Sequence, residues 1–277
     1  MGNGENYKPL PLKSYFMFLA IDAGNSNIVF GFYDESAHSW IHEFRIETSK
    51  DFSLLKLEKE IRLFFLENNI KIDEIEHIGI SSVVPEINNT LQKFCREYLE
   101  KEGFLISGSS YNKLKVSTAR PNEIGTDLMC NVTAAFERFS DTCIIVDFGT
   151  ALTFTAVDKK GKIMGVNIVP GLKTAIKALF SNTSKLPEVE LKLPESALGR
   201  NTIHSIQAGI LYGYTGLVKG MLETMQKEIG TPCRIIATGG LSTILTSLEG
   251  TFEIVDRNLT MEGIRLITLA NLTSKKV

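Results

Sequence analysis

FLAIDAGNSNIVFGFYD (Phe18–Asp34) and CIIVDFGTALTFTAVD (Cys143–Asp158) are two renderings of one phrase. Each is an apolar run ending in Asp-x-Gly, followed by a polar residue, a small residue and a second strand-like run. The glycine lets the chain turn with its backbone amides exposed, and Asn25 or Thr150 adds a side-chain donor, so each turn can hold a phosphate. Two such turns can clamp one polyphosphate. Asp22 and Asp147 then face the phosphates, a placement that makes sense only with a cation between the negative groups. A single Asp-x-Gly turn is most simply a hairpin, because Asp, Asn and Gly are common there. Two copies in matched surroundings outweigh that reading.

The surroundings do match. Phe18–Ile21, Ile28–Tyr33 and Ile41–Ile46 read as successive strands, Phe52–Leu66 as an amphipathic helix, Ile78–Val83 as a strand ending at Pro85, and Ile87–Leu99 as a second helix. The second half repeats the order. Strands are expected at Ile144–Asp147, Ala151–Val157 and Ile163–Ile168, helices at Leu172–Phe180 and Ile203–Lys227, and a further strand at Ile235–Thr238 that runs into Gly239-Gly240. A repeated phrase within a repeated element order indicates internal duplication. No Pro/Ser-rich linker separates the halves, so they are expected to share an interface. The expected division is a flexible extension or tag over 1–16, one domain over 17–140 and a second over 141–277. Gly239 and Gly240, at the carboxyl end of a strand, would let a purine or ribose approach the backbone.

Composition narrows the classes. The 277 residues are 43% hydrophobic and 22% charged, with a net charge of −2. That balance is globular, and it lacks the basic face that nucleic acid demands. Tyr15–Ile21 is too short to span a membrane and has no cleavage site after it, so neither membrane nor secretion is expected. The four cysteines form no CxxC and have no histidine at zinc spacing, which fits a reducing cytoplasm. His38 and His42 have i, i+4 spacing but fall in a turn and a strand, where solvated or edge positions outweigh a metal site.

The two Asp-Gly turns with the later ATGG give the layout of the actin-like (ribonuclease H-like) and sugar-kinase ATPases: α/β, two duplicated domains with mixed sheets closing on a nucleotide. PNEIGTDLMCNVTAAF (Pro121–Phe136), VDFGTALTF (Val146–Phe154), GVNIVPGL (Gly165–Leu172), KLPEVEL (Lys185–Leu191), GRNTIHSIQAGI (Gly199–Ile210) and ATGGLS (Ala237–Ser242) occur in an order and spacing that resemble the type III pantothenate kinases. The resemblance runs from about Met17 to Ile267. It implies an ATP-dependent kinase that phosphorylates pantothenate towards coenzyme A, a cytoplasmic homodimer using Mg2+ and a monovalent cation, K+ or NH4+. By the same resemblance Asp22, Gly24, Asn25, Ser26 and Asn27 form the first phosphate turn, with Gly149 and Thr150 in the second and Gly239 and Gly240 completing the ATP site. Asp147 would hold the monovalent ion, and Asp127 would be the general base. Gly125, Thr126, Leu128 and Thr202 would line the acceptor. A carboxylate within reach of the acceptor hydroxyl can take its proton as the oxygen attacks the γ-phosphate. The plainer role for Asp127 is to cap the helix expected from Leu128 to Phe139, and both roles can hold together.

Two departures fall on the acceptor side. The family writes Gly-Ala-Asp-Arg where this chain has Gly125-Thr126-Asp127-Leu128, and it has Tyr at the position of Thr118. Leucine cannot replace a guanidinium fork, although Arg120 is close by in sequence. Alternatives therefore include a divergent kinase with another acceptor or little activity, and a non-enzymatic transcriptional regulator, against which the lack of a basic helix-turn-helix counts. Gly209, Gly213, Gly216 and Gly220 line one side of a long helix, suited equally to close packing or to a dimer contact.

Overall fold

The two repeated phrases fold as strand–turn–strand units at the centres of two five-stranded sheets. The computed structural model describes residues 16–49, 53–242, 244–245, 248 and 250–273. The expected N-terminal extension, apart from the exposed Phe16, lies outside the described residues. The first sheet contains β1 (Met17–Ala23), β2 (Asn27–Asp34), β3 (Ser39–Glu47), β4 (Ile75–Ser82) and β5 (Gly103–Leu105), in the order β3-β2-β1-β4-β5. The second contains β6 (Cys143–Phe148), β7 (Ala151–Val157), β8 (Ile163–Pro170), β9 (Arg234–Thr238) and β10 (Ile254–Val255), in the order β10-β9-β6-β7-β8. Both are mixed. β1 pairs antiparallel with β2 and parallel with β4, and β6 pairs antiparallel with β7 and parallel with β9. Read outward from its first strand, each sheet has the same order and the same pairing senses.

Six α-helices among the described residues cover these sheets: α1 (Leu54–Asn68), α2 (Pro85–Glu97), α3 (Thr126–Phe139), α4 (Leu172–Ser181), α5 (Thr202–Ile229) and α6 (Leu259–Leu272). The helix expected from Phe52 begins at Leu54, where the Ser53 hydroxyl accepts from the Lys56 amide; Phe52 itself lies outside the described residues. Pro85 does not merely end the strand before it. It opens α2, where a missing N–H costs nothing and φ is preset. Asn201 caps α5 through the His204 amide, and Gly230 ends that helix in the left-handed region at φ 70°.

Alternation along the central strands assigns three cores. Met17, Leu19 and Ile21 of β1 face α1 and α2, packing with Leu57, Ile61, Leu91 and Phe94. Ile144, Val146 and Phe148 of β6 face α5, packing with Leu211, Val218 and Leu222. The opposite faces, with Phe18 and Ala20 of β1 and Cys143 and Ile145 of β6, share one core with α3 and α6. The layers therefore run helix, sheet, paired helices, sheet, helix. α6 packs on β1 and β4, and it crosses α3 so closely that a Cβ on Gly263 would collide with the Cys130 carbonyl.

Candidate active site

Both Asp-x-Gly turns form tight loops at the same end of their sheets. In the first, the Gly24 amide donates to the Asn27 carbonyl at 2.9 Å; in the second, the Gly149 amide donates to the Ala151 carbonyl at 3.1 Å. The turns meet directly, Ser26 Oγ lying 2.8 Å from Thr150 Oγ1. Asn25, Ser26 and Thr150 are exposed at this junction. Each turn is braced from behind. Thr48, just past β3, donates its hydroxyl to the Gly24 carbonyl and its amide to Ser26, while Thr174 and Gly171 both donate to the Thr150 carbonyl.

Three carboxylates converge behind the turns. Burial pushes the Asp22 carboxyl up to about 7, helped by the negative charges of Asp127 and Asp147, while Arg45 and the Ser81 hydroxyl pull it down. Asp147 is likewise raised to about 7 by burial and by Asp127, against a stabilising bond from Asn131 Nδ2 at 2.9 Å. Asp127 is raised by burial and held back by the Leu128 amide, which donates to its Oδ1 at 2.8 Å. Like charges in one low-dielectric site disfavour ionisation of each other, so this trio invites a cation or a proton.

The local sequence explains the placement of Asp127. Gly125, not Asp127, occupies the N-cap of α3, so the capping role is corrected: Asp127 is the second residue of the helix and stands in its first turn, near the positive end of the helix dipole. A Cβ at Gly125 would strike Asp127 Oδ1, so glycine there makes room for the carboxylate. Thr126 points elsewhere. Its hydroxyl bonds the Ser81 hydroxyl at 2.9 Å and the Ser82 backbone, locking α3 onto the end of β4.

Gly239 has φ +91°, and a Cβ on it would lie 2.5 Å from Asp147 Oδ1 and 2.7 Å from the Phe148 backbone. Its glycine requirement is thus set by the passage of β9 past the carboxylate, whereas the sequence reading gave that role to an approaching purine or ribose. Gly240 faces a more open space, with Arg45 Nη1 3.9 Å from the Cβ position. Thr202 opens α5 and lines a separate groove of about 410 Å³ with Leu179, Leu186, Ile206 and Gly209. Leu128 is buried at 8% exposure, and Arg120, 74% exposed, pairs with Glu123 at 3.0 Å. His38 sits in a left-handed turn at φ 51°, and the His42 ring packs edge-on to Phe64.

Seven contributors escaped the sequence reading. Asn131 follows Asp127 by one helical turn, a spacing that puts both on one face of α3, and Thr260 of α6 holds its oxygen at 2.8 Å. Arg45 and Ser81 lie in the same row of the first sheet as Asp22, through the register Asp22↔Val29, Val29↔Arg45 and Asp22↔Ser81. Thr48 is recognisable only from its bonds. In the second sheet, Thr153 and Thr238 are in register with Asp147, and both hydroxyls are buried without a partner. A carboxylate flanked by orphaned hydroxyls is a donor set that suits a hard cation. Among the described residues no group of three or more His, Cys, Asp or Glu side chains is arranged to hold a metal, so such an ion would depend on hydroxyl, carbonyl or ligand oxygens.

Comparison with known proteins agrees with this architecture. The sequence pattern of the type III pantothenate kinase family matches residues 18–224. The type III pantothenate kinase of Desulforapulum autotrophicum is 41% identical over 253 residues, covering 91% of this chain and 96% of that protein. The one from Citrifermentans bemidjiense is 39% identical over 255 residues, covering 92% and 100%. A Campylobacter jejuni structure described as a Baf family transcriptional activator superposes with TM-score 0.53 at 19% identity, over 92% of this chain and 99% of that one. The Lmo2764 protein of Listeria monocytogenes superposes with TM-score 0.50 at 11% identity, over 93% and 100%. These two likenesses bear on the fold, which is that of the actin-like ATPase superfamily with mixed sheets. Sequence match and coverage together settle the lineage: the chain belongs to the type III pantothenate kinase family.

Proposed function

We propose that the chain transfers the γ-phosphoryl group of ATP to the hydroxyl of pantothenate, giving 4'-phosphopantothenate for coenzyme A synthesis. The observation that carries this reading is the meeting of two Asp-x-Gly turns, hydroxyl to hydroxyl, in front of three aspartates. The turns around Gly24–Asn27 and Gly149–Thr150 bind the phosphates through backbone amides and through the Asn25, Ser26 and Thr150 side chains. Asp127 accepts the proton of the attacking hydroxyl; burial raises its affinity for protons, which suits a general base. Asp147, with the Thr153 and Thr238 hydroxyls, holds the monovalent cation, K+ or NH4+. Mg2+ accompanies ATP, and these ions supply positive charge against the phosphates. Gly125 makes room for Asp127 and Thr126 locks α3 onto β4, which together position the acceptor side, while Thr202, in the separate α5 groove, is an acceptor contact by the family resemblance alone.

The matching strand orders support an origin by duplication, with domains dividing near residues 140 and 141. Homodimerisation is supported by the open face of α5, where Gly209, Gly213, Gly216 and Gly220 have no heavy atom in reach of an added Cβ. Among the described residues no helix is long and apolar enough to cross a membrane, in keeping with a cytoplasmic enzyme. One observation favours a second reading, a kinase of the same mechanism with another acceptor: a buried Leu128 follows Asp127 where the family has an arginine, and leucine supplies no guanidinium. Measurement of ADP release with and without pantothenate, in potassium and in sodium, separates these. Pantothenate-dependent release that falls in sodium supports the first reading. ADP release indifferent to pantothenate refutes it.

A further inference from the structure

We infer that Arg45 is a phosphate-binding residue of this site, its guanidinium reaching from the first sheet across the mouth to the polyphosphate of the nucleotide. The inference rests on the ATP-dependent reading above.

The register places it. Arg45 lies opposite Val29, Val29 opposite Asp22, and Asp22 opposite Ser81, so four side chains from four strands share one face. That face is the one turned towards the other half, since Val29 is buried in the core common to both sheets. Three residues after Arg45, Thr48 is bonded twice to the first phosphate turn, so the strand that carries the guanidinium is fastened to the loop it would serve. Arg45 Nη1 stands 3.9 Å from where a Cβ on Gly240 would be. The guanidinium therefore spans from β3 to the glycine pair that follows β9, over the opening between the two turns.

Its present bonding leaves it available. Its ion pair, to Glu43 Oε1 two residues back on the same strand, uses Nη2 at 3.1 Å, with both side chains about half exposed. Such a solvated pair is weak and exchanges readily for a phosphate. The electrostatics also call for it. Asp22, Asp127 and Asp147 already crowd the site with carboxylates, and Arg45 is the cation whose charge lowers the Asp22 carboxyl. A polyphosphate adds further negative charge, which a built-in guanidinium offsets. A purely structural role is the competing account: β3 is an edge strand, and charged side chains on edges deter pairing with other chains.

Equilibrium titration with ATP and with adenosine, on the whole chain and on Arg45→Ala, Arg45→Lys and Glu43→Gln, distinguishes them. Arg45→Ala should bind ATP about ten-fold or more weakly while adenosine binding is unchanged, the scale of one charged hydrogen bond. Arg45→Lys should recover part of the loss, and Glu43→Gln should bind ATP at least as well as the parent. The inference is overturned if Arg45→Ala binds ATP within two-fold of the parent, if ATP and adenosine weaken together, or if Glu43→Gln loses as much as Arg45→Ala. Should Arg45→Ala not fold, Arg45→Lys and Glu43→Gln decide by the same comparison. ATP binding by the parent tests the kinase reading separately, and its failure removes both.

Discussion

Ser26 Oγ and Thr150 Oγ1 lie 2.8 Å apart, joining the turn after β1 to the turn after β6 across the cleft. Because the bond is exposed and neutral, its own contribution to stability is small. Its value is geometric: it sets two hydroxyls side by side at the place where the two turns meet. On the ATP-dependent reading proposed above, a phosphate oxygen arriving there would find both hydroxyls already aligned.

If both hydroxyls grip one phosphate, Ser26→Ala and Thr150→Ala should each weaken ATP binding by roughly two- to ten-fold, the range of a neutral hydrogen bond. The double variant should lose less than the product of the two, because each hydroxyl positions the other. Calorimetric titration of the four proteins gives the coupling. Independent, multiplicative losses would show that the turns act on separate groups.

Asp127→Asn should keep ATP binding and lower turnover by on the order of 10²-fold or more, since the amide cannot accept the hydroxyl proton. A coupled ADP-release assay beside an ATP titration separates the two quantities. Unchanged turnover would remove Asp127 from the proton transfer.

The carboxyls of Asp22 and Asp147 titrate near 7 in the folded chain, far above the unfolded carboxylate value. The folded state therefore holds protons that the unfolded state has released. The stability these groups contribute is full below the unfolded pKa and is lost as pH rises through about 7. Asp22→Asn and Asp147→Asn should raise Tm at pH 8 relative to the parent, by roughly 2–4 °C for each kcal/mol relieved, with the difference shrinking towards pH 4. Thermal melts across that range test the sign. A parent chain that gains Tm over the variants as pH rises would contradict it.

Gly239→Ala should be far more damaging than Gly240→Ala. At 239 the new methyl must occupy a left-handed conformation and press on Asp147 and Phe148, whereas at 240 the nearest group is the Arg45 guanidinium. Loss of about 2 kcal/mol or more in denaturant unfolding is expected for the first, and less than about 1 for the second. Equal losses would mean that the β9 end relaxes freely.

Leu128→Arg should lower the KM for pantothenate by about ten-fold if the family's guanidinium is what the acceptor side lacks. Since Leu128 is buried, the same change should also lower Tm. A KM that does not fall, with ATP binding kept, would point to another acceptor.

Much of this fold was legible because its central strands are unambiguous. Phe18–Ile21 and Ile144–Val146 are buried on both faces and read as apolar runs, and the Asp-x-Gly that follows each one fixes the turn. β5 and β10 were missed because three and two residues carry no period. α6 was missed for a different reason. Ile264 and Ile267 are fully buried, but the helix is apolar around most of its girth, wedged between α3 and the first sheet, so no clear amphipathic stripe marks it. In the site, the motif glycines and aspartates were visible in the sequence. Arg45, Ser81, Thr153 and Thr238 were not, because they join through strand register, which a linear pattern does not display.

The crossing of Gly263 over the Cys130 carbonyl bears on how the protein comes to be made. One face of the first sheet, whose strands are all synthesised before residue 106, is covered in part by α6, residues Leu259–Leu272. A nascent chain carrying everything up to the second sheet still exposes Phe18 and its neighbours on that face to solvent or to a chaperone. Completion of the first half thus waits on translation of α6, and a ribosome that stalls before residue 259 leaves behind an aggregation-prone fragment in place of a small folded domain.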